Sequence, residues 1–166
     1  IIRKYQTTPE YNRRVVDDVY KTFLKRNPDK SGQTYWAEKI RKGANPDEVR
    51  AQVIGSGEYF TKSGGTAPGF AAAIYQQVTR VPATQPQIDA VVAQIQAGKS
   101  RTSIAAALLA TKAGDTATVQ GIYERYLRRT PPGSEVTYWV NKLQSGVTEL
   151  KIVEATVASN EYFNRS

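Results

Sequence analysis

Two stretches of this chain repeat one another, and both of its Trp residues lie in them. Asn27-Pro28-Asp29-Lys30-Ser31-Gly32-Gln33-Thr34-Tyr35-Trp36 returns as Thr130-Pro131-Pro132-Gly133-Ser134-Glu135-Val136-Thr137-Tyr138-Trp139. The match extends on both sides: residues 19–60 align with 122–163 without a gap. Identities include Tyr20/Tyr123, Leu24/Leu127, Arg26/Arg129, Ser31/Ser134, Thr34/Thr137, Lys39/Lys142, Gly43/Gly146 and Ser56/Ser159. Related segments at a fixed spacing mark a repeat architecture, in which each copy builds the same supersecondary unit. A third, weaker copy lies between them. Ile74-Tyr75 falls on Val19-Tyr20, Gly98 on Gly43 and Ser100 on Asn45, but Ala90-Val91 stands where the Tyr-Trp pair should be.

Apolar residues recur at helical spacing throughout. Tyr11, Val15, Val16, Val19, Tyr20, Phe23 and Leu24 form one such face, which the pattern carries through Arg26, with Thr8 as cap and Pro9 in the first turn. Pro28 ends that helix, and Ser31 is the expected cap of the next, which Gly43 closes. Asn45-Pro46-Asp47-Glu48 reads as a capping box. Ser56, Thr84 and Ser100 are further starts, and another helix follows Gly114-Asp115. No window alternates like a strand. The expected fold is all-α, a helical bundle or short solenoid of three related three-helix repeats. The expected division is a tail over 1–8, a first repeat over 9–62 and a Gly/Ser/Pro linker over 63–69. A degenerate second repeat follows over 70–114 and a third over 115–166.

Composition narrows the chemistry. The chain has no Cys and no His, which excludes disulfides, thiolate nucleophiles, Ser-His-type triads and His- or Cys-built metal sites. No enzyme activity is expected. The most apolar run, Ile104 to Ala110, is far too short to cross a bilayer, so no membrane insertion is expected. The net charge of +8 is spread along the chain rather than gathered, which disfavours nucleic acid as partner. Lys25-Arg26 and Arg128-Arg129 are expected in last helical turns, where cations suit the helix dipole. A start at Ile1 without Met reads as a mature product or a fragment of something larger.

Three constellations merit weighing. Asn27, Asp29, Ser31 and Glu38, with Gly32, fit the spacing of a calcium loop. Against it stand Asn in first place, the stiffening Pro28 and the missing donors in the second copy; a helix-linking turn is the simpler reading. No other cofactor is expected. Tyr35-Trp36 and Tyr138-Trp139, with Lys39 and Lys142, are candidate binding residues, because flat amphipathic rings suit sugar faces. Their neighbouring turns and helical spacing favour the Trp residues as core anchors and leave the Tyr residues to show. Ser56/Glu58 and Ser159/Glu161 could be read as Ser-carboxylate pairs, but a capping Ser with an acidic first turn explains them.

The pattern Val19-Tyr20, Leu24 to Gly32, Tyr35-Trp36, Gly43 and Ser56 to Tyr59 resembles the bacterial domain-of-unknown-function family four-two-one-four, itself similar to the phycobilisome linker domain in its helical motif. The likeness is good over residues 16–60 and 119–163 and weak over 70–112. The second full copy departs from it where Pro132-Gly133 and Glu135 replace Asp29-Lys30 and Gly32. The resemblance implies a small helical module of large exported or cell-surface proteins, with no catalytic residues to carry over. The expected function is thus a non-catalytic interaction or assembly module, extracellular or at the cell surface. Its expected partner is a protein or a neighbouring domain of the same polypeptide. A module binding an acidic polysaccharide and a phycobilisome-type linker are the alternatives.

Overall fold

The computed structural model describes residues 9–159, and these form ten helices with no strand among them. The expected tail, the Thr8 cap and the Glu161-Tyr162-Phe163 ending lie outside the described residues. The first repeat comprises α1 (Pro9–Leu24), α2 (Lys30–Arg41) and α3 (Pro46–Gly55), followed by the short α4 (Gly57–Lys62). The second comprises α5 (Ala67–Thr79), α6 (Gln85–Gln96) and α7 (Arg101–Leu109). The third comprises α8 (Lys112–Leu127), α9 (Gly133–Gln144) and α10 (Glu149–Val157).

The three copies follow one backbone path, even where their side chains differ. The first helices end at the equivalent Leu24, Thr79 and Leu127. The next residue is left-handed in every copy, with φ of 55° at Lys25, 63° at Arg80 and 51° at Arg128. The second helices all close on a glycine of positive φ, at Gly43, Gly98 and Gly146. Two residues later Asn45 and Ser100 accept hydrogen bonds from the N–H groups of Asp47 and Ser103, and Thr148 stands in the same place. Glycine at that helix end avoids the steric cost of a side chain in the left-handed region.

Several local expectations change. Asp29, not Ser31, caps α2: its Oδ1 accepts from Gly32 N at 2.7 Å and from Ser31 Oγ at 2.6 Å. α1 stops at Leu24, because Lys25 turns left-handed, so Lys25 and Arg128 lie beyond the helix ends rather than in their last turns. The reversal before the second repeat is only Ser63 to Thr66; Thr66 caps α5, and Ala67 and Pro68 already form its first turn. α8 likewise begins at Lys112, capped by Thr111, so Gly114 and Asp115 lie inside it.

That glycine-rich reversal does not separate domains. One core spans both sides of it, with Phe23, Ile54 and Tyr59 from before the turn and Phe70, Ile74 and Leu108 from after. Tyr59 packs edge-on against Phe23 at 6.3 Å and Phe70 at 6.0 Å. Burying Phe70 completely contributes about 1.5–3 kcal/mol. The C-terminal end of α3 also abuts the first turn of α7: a Cβ on Gly55 would sit 2.1 Å from Thr102 Oγ1.

The third repeat has its own core, Val119, Ile122, Tyr123, Leu127, Val140, Ile152 and Val153, to which Tyr11 of α1 adds its ring. Charged links tie it to the others. Arg50 pairs with Glu149 at 2.7 Å, Arg80 with Glu124 at 2.7 Å, and Arg125 with Asp18. The bundle is therefore a fused pair of repeats with a third docked on it.

Candidate functional site

The second helices of the outer repeats carry the residues singled out for binding. Aligned, Lys30–Arg41 and Gly133–Gln144 share five residues: Ser31/Ser134, Thr34/Thr137, Tyr35/Tyr138, Trp36/Trp139 and Lys39/Lys142. Four of the five pairs are exposed and the Trp pair is half-buried. With 3.6 residues per turn, Ser31, Thr34, Tyr35 and Lys39 fall within about 140° of one helix face. The inward positions other than the Trp, by contrast, differ. Gln33, Ala37 and Ile40 in α2 become Val136, Val140 and Leu143 in α9. What the two helices have in common is a surface stripe and one Trp anchor.

The side-chain geometry within the stripe also repeats. Tyr35 and Trp36 meet edge-to-face with centroids 5.0 Å apart at 79°, and Tyr138 and Trp139 do so at 5.0 Å and 75°. Lys39 Nζ lies 5.5 Å from the centre of the Tyr35 ring, and Lys142 Nζ 5.5 Å from that of Tyr138. The tyrosines are 55% and 54% exposed, so each is accessible to a ligand. The tryptophans pack against the two cores, as expected of anchors. Trp139 Nε1 further donates to the Tyr123 hydroxyl at 2.9 Å. Behind each stripe an arginine lies over the ring of the shared tyrosine of the preceding helix, Arg26 on Tyr20 at 5.3 Å and Arg129 on Tyr123 at 4.9 Å. Arg26 is held there by both oxygens of Glu58, and Arg129 by Glu135.

The middle repeat lacks the stripe. Pro86, Asp89, Ala90 and Gln94 replace its four exposed residues, and Val91, 3% exposed, fills the Trp position. The same backbone is thus used for packing in one copy and for display in two.

The calcium-loop candidates are otherwise engaged. Asp29 Oδ1 serves the α2 cap, and Arg26 donates to the Asn27 carbonyl at 2.9 Å. Glu38 turns to Arg41, whose hydrogen bonds hold its carboxyl well below the usual range, at about 2.

Two clefts lie where the repeats meet, and neither is lined by the stripe tyrosines. The first, about 170 Å³, is smaller than the roughly 300–1,000 Å³ of small-molecule sites. The second, about 360 Å³, contains Asp47, Asp115 and Glu149. Arg50 neutralises the first and last of these, and Gln144 donates to Asp115, whose burial raises its carboxyl above the ordinary value.

Ser31/Ser134 and Thr34/Thr137 stand among the aligned identities, yet in sequence Ser31 reads only as a cap or calcium-loop donor, and Ser134, Thr34 and Thr137 carry no binding role. The usable signal was their spacing: identities three, four and eight residues apart share one helical face.

None of the curated proteins and none of the solved structures compared with this chain matches it. The profile of the domain of unknown function DUF4214 matches residues 2–63 and again 107–166. The gap between the two matches is occupied mainly by the second repeat, the copy without a stripe. With two matches covering most of its length, the chain belongs to the DUF4214 family.

Proposed function

We propose that the protein is a non-catalytic binding module of a larger exported or cell-surface polypeptide, whose outer repeats act as two equivalent docking points. The observation that carries this reading is the stripe on α2 and α9. Two helices that share only the Trp among their inward positions retain the same exposed Ser, Thr, Tyr and Lys, with the Tyr and Lys in the same geometry. Burial in the two cores does not account for residues that face solvent, whereas binding one kind of partner twice does. The lack of His and Cys and the pairing of the cleft carboxylates support a role without catalysis.

The test is chemical crosslinking of the intact protein to its native surroundings, comparing wild type with the Tyr35→Ala/Tyr138→Ala double variant. Capture of one defined partner that depends on the two tyrosines supports the module. An identical set of captured proteins and glycans in both samples overturns it.

A further inference from the structure

The chemistry of the stripe narrows the ligand, on the reading of the protein as a binding module. Each stripe offers one half-exposed ring, an ammonium and two hydroxyls, and no aliphatic side chain; the Ser31, Thr34 and Thr137 hydroxyls donate to Asp29, Lys30 O and Gly133 O, so toward a ligand they act as acceptors. Across the described residues the large exposed hydrophobics are only Tyr35, Val81 and Tyr138. The buried centre of a protein–protein interface is more apolar than its rim and poor in lysine, whereas each stripe sets a lysine beside its one ring.

The lysines want an anion. Glu38, beside Lys39 on α2, is taken by Arg41 and Lys42, and Glu135 on α9 is taken by Arg129. Among the described residues no carboxylate pairs with Lys39 or Lys142, and each ammonium rests over its tyrosine ring. The overall charge of +8 draws a polyanion toward this surface. The identity of the two stripes adds a further requirement: the ligand presents the same unit more than once. A polymer of acidic sugars has all of these properties. The C–H face of the sugar ring matches the electron-rich face of tyrosine, its carboxylate matches lysine, and its hydroxyls match Ser and Thr.

We infer that Tyr35 with Lys39 and Tyr138 with Lys142 form two equivalent subsites for an acidic polysaccharide, each holding one uronate unit. The neighbouring hydroxyls of Ser31 and Ser134 orient that unit. Because the two sites belong to one folded body, a long chain engages both, and its affinity exceeds that of a single site by about 10²–10⁴-fold when the spacing allows.

Isothermal titration tests this with polygalacturonate, alginate and hyaluronan. Dextran serves as the neutral control, and polyglutamate and single-stranded oligothymidylate as acidic controls. At least one uronate polymer is expected to bind while dextran does not. Tyr35→Ala and Tyr138→Ala should each weaken that binding by about tenfold or more, and the double variant should abolish it. A trisaccharide of the same polymer should bind twice per wild-type chain and once per single variant. Tyr35→Phe, which keeps the ring, should retain binding, and Lys39→Ala/Lys142→Ala should lose it with an unchanged melting curve. The inference is overturned if no uronate polymer binds, or if binding survives the double tyrosine variant. It is equally overturned if polyglutamate or oligothymidylate binds as tightly with the same tyrosine dependence. Tyrosine-dependent capture of a protein in the crosslinking experiment, with no uronate binding, removes this ligand class and leaves the binding module standing.

Discussion

The guanidinium of Arg50 grips both carboxylate oxygens of Glu149, at 2.7 and 2.8 Å, and so joins α3 of the first repeat to the first residue of α10 in the third. The equivalent positions in the other copies, Ala105 and Val153, are buried and apolar. One repeat has thus exchanged a core position for an ion pair that holds its neighbour. Arg50 also reaches Asp47 at 2.6 Å, so both of its carboxylate partners depend on it.

Arg50→Ala leaves Glu149 largely buried without its counter-charge, and a loss of about 3–5 kcal/mol is expected. Replacing both partners, Arg50→Met with Glu149→Gln, should cost less than Arg50→Ala alone, because no buried charge is stranded. Urea unfolding of the three proteins measures the order.

The same pair makes stability depend on acid. Burial pushes the Glu149 carboxyl upward, but the charge and hydrogen bonds of Arg50 more than reverse this, leaving it below the ordinary 4.5. A lowered folded-state value means that the stabilisation is complete above about pH 4.5 and is lost as pH falls through the folded value. Glu149→Gln should therefore be less stable than wild type at pH 7, and the gap should close on acidification. Asp115, raised by burial, has the opposite sign, so Asp115→Asn should gain stability at neutral pH and gain nothing below about pH 3.8. Thermal unfolding at pH 7, 4 and 3 checks both; gaps that do not change with pH would refute them.

Gly55 is where α3 and α7 come closest, and a Cβ there meets Thr102 backbone atoms at 2.7 and 2.8 Å as well as its hydroxyl. Gly55→Ala is expected to destabilise by about 1–3 kcal/mol through forced separation of the helices. The equivalent Ala110 is exposed, and Ala110→Gly should change stability by only about 0.5 kcal/mol. Denaturant midpoints of the two variants decide the contrast.

Lys25 is exposed and left-handed with φ of 55°, a conformation that costs a side chain about 1–2 kcal/mol. Lys25→Gly is accordingly expected to raise stability by up to about 1 kcal/mol, net of the entropy that glycine adds to the unfolded chain. A lower denaturation midpoint would show that the lysine stem has a packing role outweighing its strain.

The Trp139–Tyr123 hydrogen bond joins the display helix to the third core. A double-mutant cycle with Trp139→Phe and Tyr123→Phe is expected to give a coupling of about 0.5–1.5 kcal/mol. Additive effects of the two substitutions would show that the bond contributes nothing.

Much of this architecture was legible in residue types whose conformational preferences are local. Pro28, Gly43, Asn45, Ser56 and Ser100 announce helix ends because their effects act within a turn of themselves. Even so, the capping role fell to Asp29 two residues earlier, because the helix starts at Lys30 and the Gly32 N–H meets the Asp29 carboxylate, to which Ser31 itself donates. The Ser63-to-Thr66 reversal is shorter than the expected 63–69 linker for a different reason. Glycine and serine look alike in a loose linker and in a tight turn, and only Tyr59 against Phe70 shows which it is.

Helix content, the triple repeat and the helix ends marked by Gly43, Asn45, Gly98, Ser100 and Gly146 were determined by the sequence alone, because periodicity and capping are local properties of the chain. Which residues of the repeated stretch serve folding and which face outward was decided by tertiary structure. Burial depends on neighbours brought from distant segments. The Trp residues turned to two different cores, and the shared Ser, Thr, Tyr and Lys were left on the surface. The match between Asn27–Trp36 and Thr130–Trp139 looks, in sequence, like a folding signal. Packed, it is a folding signal in its turn and its Trp and a displayed surface in the rest, because a helix has only one side to bury.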